Sequence, residues 1–126
     1  MIPTVLIVDD SKLARIVVGK ALSVLQPDWK KHEAGNAEEA MLLIAAGAID
    51  VAILDFNMPG RNGLELAADI RETHPDIPIA LATANVQDEI IAQARVLNAT
   101  FIAKPITPDV LKGFLFGAAL KLRQRG

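Results

Sequence analysis

The sequence predicts a doubly wound α/β domain: a five-stranded parallel sheet with five helices over its two faces. Three observations carry this. Short apolar runs alternate with helix-period segments along the whole chain. The runs Val5-Leu6-Ile7-Val8 and Val51-Ala52-Ile53-Leu54 show no polar alternation, as strands buried on both faces require. Strict β-α order then joins successive strands through helices, which makes them parallel. The chain has 126 residues, 52% of them hydrophobic, so a single domain over 1–126 with a sizeable core is expected.

Each element has its own signal. Val5–Val8 is the first strand. A helix follows from about Ser11 to Leu25, with Leu13, Ile16, Val17, Ala21 and Val24 expected inward and Pro27 stopping it. Trp29–Ala34 reads as a more polar strand at a sheet edge. Asn36 starts the second helix, with Glu39 three residues on as a capping box, and Gly47 ends it. Val51–Leu54 is the next buried strand. Leu64 to about Thr73 is a helix stopped before Pro75. Ile79–Ala82 is a strand, and Asn85 is expected to cap a helix running to about Leu97. Phe101–Ala103 is the last strand. Thr107 caps the last helix, with Pro108 in its first turn, where a missing N–H matters little.

Composition narrows the function. A net charge of −2 gives no bulk attraction to nucleic acid. No cysteine is present, so disulfide and thiolate chemistry are excluded. No apolar run approaches the ~20 residues of a membrane span. The start MIPTVLIVDD has no basic region and reaches an acidic pair too soon for a signal peptide. A soluble cytoplasmic protein without a membrane partner is expected.

The informative residues stand at strand ends. Val5–Val8 runs into Asp9-Asp10, Val51–Leu54 into Asp55, Ile79–Ala82 into Thr83, and Phe101–Ala103 into Lys104-Pro105. In an open parallel sheet these ends share one edge, where ligands bind. Taken singly, Asp10 or Ser11 is a helix cap, Lys104 a solvated lysine and Thr83 a strand threonine. Asp55 resists such a reading, because the Pro59-Gly60 turn carries the chain away and leaves the carboxylate at the rim.

Three clustered carboxylates repel unless a cation sits among them. Oxygen ligands without His or Cys suit Mg²⁺. A carboxylate beside that ion can act as a nucleophile and form an acyl phosphate. The phosphoryl oxygens then need the metal, an ammonium and a hydroxyl or backbone N–H groups. Strands lie ~4.8 Å apart, so a lysine two strands away can cross most of the gap, while a hydroxyl suffices on the strand between.

The segments VLIVDD, ILDFNMPGRNG, ALATAN and FIAKPIT stand in an order and spacing that resembles the response-regulator receiver domain, over essentially the whole chain. The resemblance implies a flavodoxin/CheY-like sheet of strand order 2-1-3-4-5. It implies Asp55 as phosphoacceptor. Mg²⁺ would be held by the carboxylates of Asp10 and Asp55 and the backbone carbonyl of Asn57, with Asp9 acting largely through water. Lys104 would contact the phosphoryl group and Thr83 would reorient towards it. Phe101 matches an aromatic switch position, and Pro105 a cis-proline that aims the lysine. The implied reaction moves a phosphoryl group from the phosphohistidine of a histidine kinase or phosphotransfer protein to Asp55, followed by autocatalysed hydrolysis. Such a protein is a signalling phosphoacceptor and not an enzyme acting on a separate substrate. Asn98 replaces a frequent glycine and implies a left-handed asparagine. Ile106 stands where some relatives have an aromatic.

The implied output face joins the fourth helix, the last strand and the last helix, with Ile91, Phe101, Phe114 and Gly117 as partner-face residues. In the last helix, Leu111, Leu115, Ala118 and Leu122 form a core stripe. Val110, Phe114 and Phe116 fall outside it, so a Phe114-centred exposed patch is expected for an output partner or a homodimer. His32, His74, Arg61 and Arg71 are read as having no special role, the arginines as solvated surface charges. Two rivals fit less well. A haloacid-dehalogenase-like phosphatase needs a second Asp where Asn57 stands. A flavin binder needs a glycine- and hydroxyl-rich first loop where this chain has DDSKLA.

Overall fold

The computed structural model describes residues 2–125. The element order is β1 (Thr4–Val8), α1 (Lys12–Leu25), β2 (Lys30–Ala34), α2 (Ala37–Ala45), β3 (Val51–Asp55), α3 (Gly63–Thr73), β4 (Ile79–Thr83), α4 (Asp88–Val96), β5 (Thr100–Ala103) and α5 (Pro108–Arg125). The five strands form one parallel sheet in the order β2-β1-β3-β4-β5, as expected. β1, β3 and β4 are buried throughout. β2 is exposed from Lys30 to Glu33, and its charged side chains suit an open edge.

Alternate side chains point to opposite faces of a strand, so the sheet divides the core. Leu6, Val8, Leu54, Leu81 and their neighbours pack under α2, α3 and α4. Val5, Ile7, Ile53, Ala82 and Ile102 pack under α1 and α5.

Several local expectations need correction. Of the five α1 residues expected inward, only Ala21 is buried, alongside Val18 and Leu22. Leu13 is 72% and Val24 69% exposed, with Ile16 and Val17 also exposed. The helix is apolar on two faces, and packing on Ile7 and α5 selects the narrower one. Asn36 caps α2, but Glu39 Oε1 accepts from the Gly35 N–H, one residue before the cap. The full capping box lies at Asn62 and Glu65, where each side chain accepts the other's backbone N–H. α4 begins at Asp88 after Gln87, which makes no side-chain cap; the Asn85 N–H is instead held by Thr83 Oγ1 at 3.0 Å.

Phe114 is buried, only 8% exposed, and belongs to the α1–α5 core. At 100° per residue it lies about 60° from Leu111, within the width of a buried stripe, whereas Phe116 lies about 140° away. The exposed apolar residues of α5 are Val110, Phe116 and Leu120. Phe114 walls a groove of about 250 Å³ that the missing side chains of Gly113 and Gly117 leave open.

Arg71 is not a solvated charge. Its guanidinium donates to the carbonyls of Leu97, Pro75, Ile77 and Asn98. It therefore ties the end of α3 to the α4–β5 turn, where Asn98 takes the left-handed conformation at φ 55°. Burial pulls the guanidinium below its ordinary pKa, with Asp76 opposing the shift. Arg61 keeps its surface place, in a half-exposed pair with Asp69 at 2.6 Å.

Candidate functional site

Register builds the site. Val8 pairs with Leu54, Asp55 with Ala82, and Thr83 with Ala103. Asp9, Asp55, Thr83 and Lys104 therefore stand on one rim, at the C-terminal ends of the four adjacent strands β1, β3, β4 and β5. Asp9, Asp55 and Thr83 are buried, and Asp10 is exposed.

Carboxylate oxygens of Asp9, Asp10 and Asp55 lie within 4.8 Å of one another. Lys104 crosses from the end of β5, donating to Asp55 Oδ1 at 2.6 Å and to Asp9 Oδ2 at 3.3 Å. The Lys104–Pro105 peptide is cis. The Lys104 N–H donates to the Thr83 carbonyl at 3.0 Å, which fixes the root of the lysine beside β4. Ser11 caps α1 through the Ala14 N–H, while Asp9 Oδ1 accepts from the Ser11 N–H. The cap and the acidic site are thus built from the same turn.

Charge governs the pKa directions. Burial raises the Asp55 carboxyl above its ordinary value; the Lys104 hydrogen bond opposes this, and Asp9 and Asp10 add to the rise. Burial alone would lower the Lys104 ammonium, but its hydrogen bond and charge contact with Asp55, with Asp9 adding, outweigh that and leave it raised. One lysine faces three carboxylates, so the rim keeps an excess of negative charge.

That excess fits Mg²⁺. Oxygens sharing one ion at about 2.1 Å lie about 3 to 4 Å apart, so the measured spread needs only small side-chain shifts or bridging waters. Asn57 stands two residues past Asp55 in the exposed turn. Mass action predicts that Mg²⁺ stabilises the metal-free protein, by about 2.7 kcal/mol at a hundredfold excess over Kd. Asp10→Asn relieves repulsion, so the metal-free variant should melt higher and gain less from Mg²⁺. Differential scanning calorimetry of both proteins checks this; equal metal-free melting would show that the acids do not repel one another.

Two residues of the site carried no recognisable signal. Gly63 opens α3, and its N–H donates to the Phe56 carbonyl at 3.0 Å. An added Cβ there would overlap the Asp55 carbonyl and lie 2.8 Å from Leu81 Cδ1. Arg15 donates through Nη1 to the Asp9 carbonyl at 2.6 Å. Met58 tucks into the α2–α4 core and anchors the turn, in which Gly60 takes φ 76°.

The chain matches the family model of the response regulator receiver domain over residues 5–115. It belongs to that family. The receiver is 37% identical over 125 residues to the cyclic di-GMP phosphodiesterase response regulator RpfG of Xanthomonas campestris pv. campestris (strain 8004), covering 96% of this chain and 32% of RpfG. It is 34% identical over 110 residues to a chemotaxis protein CheY homolog of Campylobacter jejuni, covering 85% of each. Its fold matches the chemotaxis protein CheY4 of Vibrio cholerae with a TM-score of 0.84 and 27% identity, over 94% of this chain and 99% of that one. The receiver thus spans about a third of one relative and most of another. Its role is that of a two-component signalling receiver, homologous to CheY.

Proposed function

We propose that the whole chain is one receiver domain that accepts a phosphoryl group on Asp55. The Lys104–Asp55 contact across two strands, inside an acidic cluster, carries this reading. An Asp55 carboxylate oxygen attacks phosphorus, the P–N bond to the donor histidine breaks, and the imidazole leaves. Asp9, Asp10, Asp55 and the Asn57 carbonyl would hold Mg²⁺, which supplies charge neutralisation for the transferring oxygens. Lys104, already at the rim, turns its ammonium to a phosphoryl oxygen, and the Thr83 hydroxyl can reach another. Water later attacks phosphorus, releasing inorganic phosphate and restoring the carboxylate. No separate substrate is turned over, and a cytoplasmic location follows from a kinase donor. Among the described residues no helix is long and apolar enough to cross a membrane.

The donor's docking face is read from α1. Leu13, Val17, Lys20 and Val24 recur at spacings of four, three and four, the seam of a helix–helix contact. The stripe is exposed and flanked by grooves, one against the β5–α5 loop at Ile106 and Pro108, the other against β2. It starts one turn from Asp9. α1 and α5 carry Lys12, Arg15, Lys20, Lys112, Lys121, Arg123 and Arg125 in sequence against Asp109 alone, so a helical donor with an acidic rim is favoured.

Output follows from Thr83. Its hydroxyl accepts from the Asn85 N–H; turning to a phosphoryl oxygen breaks that bond and frees the loop before α4. Of α4, only Ile90 and Ala94 are buried, and its N-terminal residues lack a side-chain cap. Half-buried Ile91 and Phe101, with exposed Gly117 and Phe116, can then present a changed surface to an output partner or a second copy.

Incubation with acetyl phosphate and Mg²⁺, read by intact mass, tests the reading. Wild type should gain one phosphoryl group and Asp55→Ala none. Labelling of Asp55→Ala to the same extent would reject Asp55. Thr83→Ala should be labelled, yet its amides over 84–91 should not change hydrogen-exchange protection on labelling as those of the wild type do.

A further inference from the structure

We propose that Arg15 is a positioning residue that aims the carboxylate of Asp10 into the acidic cluster; this rests on the Mg²⁺ reading above. Asp10 is exposed, and its side chain makes no hydrogen bond or ion pair among the described residues. Its direction is therefore inherited from the backbone on either side. The peptide before it is held at its oxygen, since Arg15 Nη1 donates to the Asp9 carbonyl at 2.6 Å. The peptide after it is held at its nitrogen, since the Ser11 N–H donates to Asp9 Oδ1 at 2.9 Å. The Asp9 N–H in turn donates to the Ala34 carbonyl at 3.1 Å. With both neighbouring peptides pinned, the Asp10 Cα–Cβ bond has one direction, and it brings the carboxylate within reach of Asp9 and Asp55.

Arg15 is itself held for this task. Its side chain is 17% exposed, and Nε donates to Glu33 Oε1 at 2.8 Å. The guanidinium lies along Gly35, where an added Cβ would come within 3.6 Å of Nη1. The arginine thereby bridges α1, the end of β1 and the end of β2, while Glu33 neutralises its charge. Two effects of removing it have opposite signs. If Arg15 acted only as a nearby cation, its loss would tighten Mg²⁺ binding. If it orients Asp10, its loss loosens the ion, as loss of a partner behind a metal ligand commonly does.

The test is calorimetric titration of Mg²⁺ into metal-free wild type, Arg15→Met, Arg15→Lys and Glu33→Gln. The temperature is one at which circular dichroism shows each folded, and each metal-free protein is also melted. Arg15→Met should raise the Mg²⁺ Kd roughly tenfold. Arg15→Lys, whose one ammonium cannot serve the carbonyl and Glu33 with the same fork, should lose less. Glu33→Gln, which leaves the Asp9 contact in place, should bind as the wild type does. Should Arg15→Met not fold, Arg15→Lys against Glu33→Gln decides by the same ordering. An unchanged Kd in a folded variant with a lowered melting temperature would make Arg15 a brace only and overturn the proposal, as would a tighter Kd. Wild type taking up no Mg²⁺ at all would overturn the metal reading itself, a result distinct from equal binding by wild type and variant.

Discussion

Gly63→Ala is expected to destabilise the protein by about 3 kcal/mol, more than any substitution of an exposed residue. The reason is the close approach of the first turn of α3 to the end of β3. A methyl group at position 63 would overlap the Asp55 carbonyl, and that obstacle is backbone at the centre of the sheet. Neither side yields easily. β3 is paired on both edges, with β1 and β4, and α3 is pinned by the Asn62–Glu65 box and by buried Leu66, Ala67 and Ile70. Relief must come from moving Asp55, so slower labelling by acetyl phosphate should accompany the lost stability. Gly117→Ala is the matched control. Nothing lies within 4 Å of the Cβ it would add, so the helix should gain up to about 1 kcal/mol from its better propensity. Urea denaturation of the two variants measures both; a Gly63→Ala protein as stable as the wild type would mean that α3 does not sit against the end of β3 as described.

This packing shows why the site was only partly legible in the sequence. The convergence of Asp9, Asp55, Thr83 and Lys104 follows from topology, since parallel strands place every C-terminal end on one rim. The reach of Lys104 follows from strand spacing. Asn98 is a local matter as well, because a turn needing a positive φ favours glycine or asparagine. Gly63 is different. It looks like any turn glycine after Asn62, and only the three-dimensional closeness of α3 to Asp55 reveals why a side chain is excluded.

The missed helix faces have a common cause. α1 carries one apolar stripe at Val18, Ala21 and Leu22 and another at Leu13, Val17 and Val24. Periodicity detects both but cannot say which meets the sheet. α5 poses the same problem with Phe114 and Phe116, and the small angle from Leu111 decides it. In both helices the stripe left outside is a candidate contact surface rather than surplus core. Arg71 escaped for the opposite reason: its partners are four backbone carbonyls from two loops, and carbonyls leave no trace in residue type.

Lys104→Met is expected to lower the stability of the metal-free protein by about 2 kcal/mol, the loss for a broken buried ion pair discounted because the lysine is 28% exposed. Among the described residues the ammonium is the only cation paired with these carboxylates, so its removal leaves Asp9 and Asp55 buried without it. Three further results identify electrostatics as the cause. Asp55→Asn in the same chain should recover most of the loss, a coupling that a purely packing effect would not produce. Mg²⁺ should stabilise Lys104→Met more than wild type, since a divalent ion relieves the same repulsion. The pH dependence has a definite sign. Asp55 is held above its ordinary pKa, first by burial, so its ionised form weakens the fold above that raised value, and the penalty fades as the pH falls through it. Without Lys104, which pulls that value down, the penalty at neutral pH grows, and mild acid should restore the variant relative to wild type. At the alkaline end the wild type should behave oppositely. Its raised Lys104 contributes fully below the ordinary lysine value, and that contribution is lost as the pH rises through the raised one. Urea denaturation in chelated buffer from about pH 5 upwards compares the two proteins directly; a constant stability difference across that range would assign Lys104 to packing rather than to charge.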